Sequence, residues 1–185
     1  MNIRHATSIL CLAALGSACE PPTEPDPGQA DPAQSALTMA QGSPHTAAAG
    51  SYAQTAVTGV GVRPAGPNTI LEQTSLGSIS GTLNGTFEDE LRVVIHPNGR
   101  FNAQFTITCE CTVDGKQGVL ELTATDTGEL VSPNAGAFAG RAVIKGGTGD
   151  LSGLRGVLEI QGVVDVASGL STTTYSGSIH FRHGT

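Results

Sequence analysis

The chain has 185 residues and a formal charge of -7, with 25 glycines, no tryptophan and charged residues at only 14%. Such a length holds one ordinary domain plus an appendage. The acidic balance, with no run of Lys or Arg, argues against nucleic acid or an anionic membrane surface as an electrostatic partner.

The N-terminal stretch MNIRHATSILCLAALGSACE has Arg4 in a short leading region, an apolar run from Ile9 to Leu15, and small residues up to Cys19. This is the layout of a bacterial secretory signal, with an apolar run too short to span a bilayer. Gly16-Ser17-Ala18 before Cys19 resembles the lipobox of bacterial lipoproteins, although leucine stands at position 15 rather than at 16. Residues 1–19 are therefore expected to be a signal of lipoprotein type. Acylated Cys19 would place the protein outside the cytoplasm, anchored to a bacterial membrane. An ordinary signal cut nearby, giving a secreted protein, is the alternative. Residues 20–50 carry six of the ten prolines and four acidic residues. So little apolar surface cannot repay the entropy of ordering, and a disordered tether is expected there.

Residues 51–185 read in twos. SYAQTAVTGVGV, TILEQTSL and SISGTLNGTF supply upstream strands, followed by Glu90 to Ile95. Glu88-Asp89-Glu90, ahead of that strand, reads as a solvated turn, with a general acid there as the alternative. The clearest stretch is FNAQFTITCECT, where Phe101, Ala103, Phe105, Ile107, Cys109 and Cys111 alternate with polar residues. Twelve residues of unbroken alternation make a strand with one dry and one wet face. Asn98-Gly99 and Asp114-Gly115 on its flanks are hairpin signals. Further strands follow at Gly118–Thr125, Gly136–Lys145, Gly156–Val166 and Thr172–Arg182. The expectation is a single antiparallel up-and-down β-barrel of eight, possibly nine, strands.

Between two of these strands lies IKGGTGDLSGLRG. No Lys-Ser/Thr pair follows a glycine as a Walker loop requires. Gly153 falls one residue too far for a dinucleotide fingerprint, and strand-like sequence comes next. The glycines are read instead as a barrel corner. Gly146 to Gly156 also resembles the G-T-G-x-L-x-G-L-R-G signature of small bacterial domains of unknown function, grouped with the allene oxide cyclase-like β-barrels. VIHPNGRF, CTVDGKQGVLEL and TYSGSIHF agree with it. The resemblance implies an eight-stranded barrel with a cavity for a small apolar molecule, and some relatives cyclise a reactive polyene there. No catalytic position of those enzymes maps onto this chain.

The cavity-lining candidates are Phe101, Phe105, Cys109, Cys111, Phe138, Tyr175 and Phe181. Cys109 and Cys111 are about 6.5 to 7 Å apart on a regular strand, which opposes a disulfide unless a bulge intervenes. They read first as small hydrophobes in the core, with a bulged disulfide or a metal or redox role as alternatives. Tyr175 reads as core with a satisfied hydroxyl. His180 and His183 are three apart on a strand and face opposite ways, so they share no metal. No metal set, cofactor motif or G-x-S-x-G elbow occurs.

Three functions are compatible with these features. The first is an exported barrel that binds a small apolar ligand without transforming it. A cofactor-free cyclase or isomerase is the second, and a module with a filled core the third. An interior void of at least a few hundred Å³, the size of ordinary ligand pockets, argues against a filled core. A buried ionisable group at that void favours catalysis, whereas a wholly apolar lining favours carriage.

Overall fold

The computed structural model describes residues 45–182. The signal, Cys19, nearly all of the expected tether and His183 lie outside the described residues. Eight strands follow in chain order: β1 (Thr46–Ala65), β2 (Asn68–Gly81), β3 (Leu83–Ile95), β4 (Arg100–Val113), β5 (Lys116–Ser132), β6 (Ala135–Gly147), β7 (Leu154–Asp165) and β8 (Ser171–Phe181). Each pairs antiparallel with the next, and β1 pairs with β8, so the sheet closes into an up-and-down barrel. Two upstream expectations need correction. SISGTLNGTF straddles the β2–β3 turn at Thr82, and β1 begins at Thr46, ahead of the expected domain start at residue 51.

Alternation decides which side chains point inward. On β4 every residue of the Phe101, Ala103, Phe105, Ile107, Cys109, Cys111 and Val113 series is buried, while those between are exposed or half-exposed. β5 continues the layer with Leu120, Leu122 and Ala124, β6 with Ala142 and Ile144, and β7 with Leu158 and Ile160.

The two ends of the barrel differ. One end is solid: Leu83, Leu120, Leu151 and Leu154 are fully buried there. Leu151 sits in a short 3-10 turn, Gly149–Leu151, within the glycine-rich corner. Gly149 and Gly153 take φ of 60° and 81°, a left-handed conformation that turns the chain tightly enough to tuck Leu151 under the barrel. The expected corner is therefore also a plug. At the other end, β1 pairs with β8 only over Thr46–Ala53, although its ladder with β2 continues to Ala65. This end stays open.

Two further expectations are overturned. Glu88-Asp89-Glu90 is not a turn before a strand but the middle of β3, with Asp89 inward and 3% exposed. Cys109 and Cys111 form a disulfide, with Cα atoms 5.3 Å apart. No bulge is involved, since β4 keeps register with both neighbours. The strand instead contracts locally beside Gly85 and Gly118, which flank Cys111 on either side.

Candidate functional site: an apolar cavity with two buried carboxyls

The open half of the barrel encloses a cavity of about 170 Å³. Its wall is mostly apolar, from Leu71, Leu91, Val93, Phe101, Phe105 and Phe138. Phe101 lies over Gly128 and Phe138 over Gly162 on the adjacent strands, where a Cβ would overlap the ring. The missing side chains let both rings lie against the wall and leave the lumen free. A dry cavity of about 150 Å³ takes benzene, so this space suits one ring or a short chain, less than the few hundred Å³ of an ordinary ligand pocket. Wider depressions of about 660 Å³ are shallow and open to solvent. They enclose nothing, and the smaller cavity is the better candidate.

Asp89 and Asp126 are the ionisable carboxyls on that wall. They differ in their surroundings. Asp89 accepts hydrogen bonds from Ser75 Oγ and from Gln54 Nε2, the latter at 2.8 Å. Gln54 Nε2 also reaches Ser75 Oγ at 2.7 Å, and its carbonyl accepts from both the N–H and the hydroxyl of Ser171 at 2.9 Å. This network ties β1 to the start of β8 where their backbone ladder stops. Burial raises the Asp89 carboxyl above the usual range, against the opposing pull of these donors, and the charge of Glu88 adds to the rise.

Asp126 is 7% exposed, and its Oδ1 is buried without a hydrogen-bond partner among the described residues. Its register neighbours are Ala103 on β4 and Gly140 on β6. Ala103 offers only a methyl and Gly140 no side chain, and Asp126 itself occupies the place a Cβ at Gly140 would take, so neither neighbour offers its carboxyl a side-chain hydrogen bond. Burial pushes it up to about 6. Tyr52, 6% exposed, packs edge-on against Phe87. Burial raises its phenol far above the usual tyrosine range, and the charges of Asp126 and Asp89 act in the same direction.

The sequence-derived candidates separate by height in the barrel. Phe101, Phe105 and half-buried Phe138 line the cavity. Cys109, Cys111 and Tyr175 belong instead to the packed core toward the plugged end, with Phe181 half-buried against it. Lys116 Nζ lies 3.9 Å over the Phe181 ring. The Tyr175 hydroxyl is satisfied, accepting from Leu83 N–H at 2.9 Å and lying 3.2 Å from the Ser80 carbonyl. His96 bonds Asn68 and Asn102, and the His180 ring lies 4.5 Å from that of His45, tilted by 47°. The sequence reading misses Asp126 and Gln54 and places Asp89 in a turn. The signal was present in the alternation: Leu120, Leu122 and Ala124 lead to an aspartate in the next inward place, and Phe87 leads to Asp89.

No protein-family model and no curated protein matches the chain. A protein of unknown function from the DUF3224 family of Shewanella oneidensis MR-1 is similar in structure. The TM-score is 0.57 at 15% identity, over 76% of this chain and 100% of that chain. The pterocarpan synthase dirigent protein GePTS1 gives a TM-score of 0.47 at 14% identity, over 77% of this chain and 91% of that chain. At such identities the likeness to the DUF3224 protein is one of fold: an all-β barrel.

Proposed function

We propose that this barrel holds a small, largely apolar molecule in its open half, with one polar group of the guest at Asp126. Support comes from a single feature: a mostly apolar cavity with Asp126 in its wall, one oxygen of whose carboxyl is buried and has no hydrogen-bond partner among the described residues. Desolvating a carboxyl without a partner costs several kcal/mol or moves its pKa, so a guest that supplies a hydrogen bond binds with a net gain. The resemblance of Gly146 to Gly156 to the signature of allene oxide cyclase-like barrels agrees with a small-molecule role. Export, with Cys19 as lipid anchor, completes the proposal, on the strength of the N-terminal pattern. Intact-mass measurement of the membrane-extracted protein tests the anchor, and a chain starting at Cys19 without acyl groups refutes it.

Native mass spectrometry of the full chain from its own cells, beside an Ala103→Trp variant, tests the cavity. The wild type carries an adduct and the variant does not. Equal adducts on both proteins would refute occupancy of this cavity.

A second reading, cofactor-free acid–base isomerisation or cyclisation, is favoured by the Asp126 carboxyl near 6, which both gives and takes a proton near neutral pH. The lining is not wholly apolar, which also counts for it. Conversion of the co-purified molecule by wild type but not by Asp126→Asn supports catalysis. No conversion by either leaves carriage.

A further inference from the structure

The charged groups in the cavity wall share one sign. Its wall has two carboxyls, the amides of Gln54 and Gln73 and the hydroxyls of Tyr52 and Ser171, and no lysine, arginine or histidine among the described residues. Asp89 has its donors inside the protein, whereas Asp126 Oδ1 has none. Around the carboxyls stand the rings of Tyr52, Phe101, Phe105 and Phe138. Their faces attract cations through the ring quadrupole. A buried, accepting carboxylate without a counter-ion, inside a partly aromatic wall, matches one kind of guest better than others.

We infer that the guest is a small apolar amine bound as its ammonium ion, with the N–H groups on Asp126 and the apolar body among the phenylalanines. The inference rests on the proposed occupancy of the cavity and adds the chemical class of the guest. An ammonium ion supplies both the missing donor and the missing positive charge. An alcohol supplies only the donor, and a carboxylate adds repulsion. The register neighbours of Asp126 are Ala103 on β4 and Gly140 on β6, and the neutral phenol of Tyr52 on β1 lies close enough to feel the charges of both Asp126 and Asp89. None of these is a cation.

Two matched series test this by calorimetric titration of the full chain near neutral pH: 2-phenylethylamine, 2-phenylethanol and 3-phenylpropionate, then hexylamine, hexanol and hexanoate. In at least one series the amine binds about tenfold or more tightly than the alcohol, as a charge-assisted bond exceeds a neutral one, and the carboxylate is weakest. In Asp126→Asn that preference falls to about onefold. Equal binding of amine and alcohol to the wild type overturns the amine assignment and leaves cavity binding intact. Failure of all six to bind overturns both. The wild-type preference decides the matter even if the variant folds poorly.

Discussion

Gly85 on β3 stands opposite Cys111 on β4, and a Cβ at Gly85 would run into the carbonyl oxygen of Glu110. The contracted strand that brings the two cysteines together thus uses space left by a missing side chain on its neighbour. Gly85→Ala should destabilise the barrel by more than about 2 kcal/mol, as overpacking against backbone does. In a Cys109→Ala/Cys111→Ala background β4 can relax, and the same change should cost less. Urea denaturation of the four proteins gives the coupling; additive costs would mean that the glycine and the disulfide are independent.

The disulfide itself closes a loop of sequence separation 2. In the chain-entropy account so short a loop contributes about 1.5 kcal/mol, well below a long-range bridge. The Cys109→Ala/Cys111→Ala protein should therefore still fold cooperatively. A loss of the folded baseline would assign the bridge a larger role.

Gln54 holds Asp89 and Ser171 at once, through opposite ends of one amide. Gln54→Leu keeps the bulk but strands a buried carboxylate oxygen and a backbone N–H. The expected cost is about 2–4 kcal/mol, read as a lower urea midpoint. A change below about 0.5 kcal/mol would show that water replaces the amide at the seam.

Asp126 gives a pH-dependent test. Its carboxyl is raised from 3.8 to about 6 by burial, so the folded state holds the proton more tightly than the unfolded chain. The stability this contributes is complete below 3.8 and is lost as pH rises through about 6. Asp126→Asn should therefore melt higher than wild type at about pH 8, by up to about 3 kcal/mol, and show little advantage near pH 4. Equal melting temperatures at both pH values would show that Asp126 is not buried as an acid.

Ala103 and Ala142 are both small inward residues, but only Ala103 faces the cavity. Ala103→Trp should cost less than about 1 kcal/mol because space receives the ring, whereas Ala142→Trp should cost more than about 3 kcal/mol. Thermal melts of the pair decide whether the open half is hollow.

The alternation from Phe101 to Thr112, the Asn98-Gly99 and Asp114-Gly115 turns and the glycine corner are local features. Local features determine strand, turn and hence a closed antiparallel barrel, because side-chain parity and turn conformation depend on near neighbours alone. Sequence parity also marks which residues face inward. It is silent on height along the barrel, so Tyr175, Phe181 and the cysteines could not be told apart from Phe101, Phe105 and Phe138 as cavity residues. The convergence of Asp89 from β3 and Asp126 from β5, the small neighbours that leave Asp126 bare, and the contraction that joins Cys109 to Cys111 were decided by inter-strand register and closure. Those relations join residues far apart in the chain, and only the closed sheet sets which side chain stands beside which.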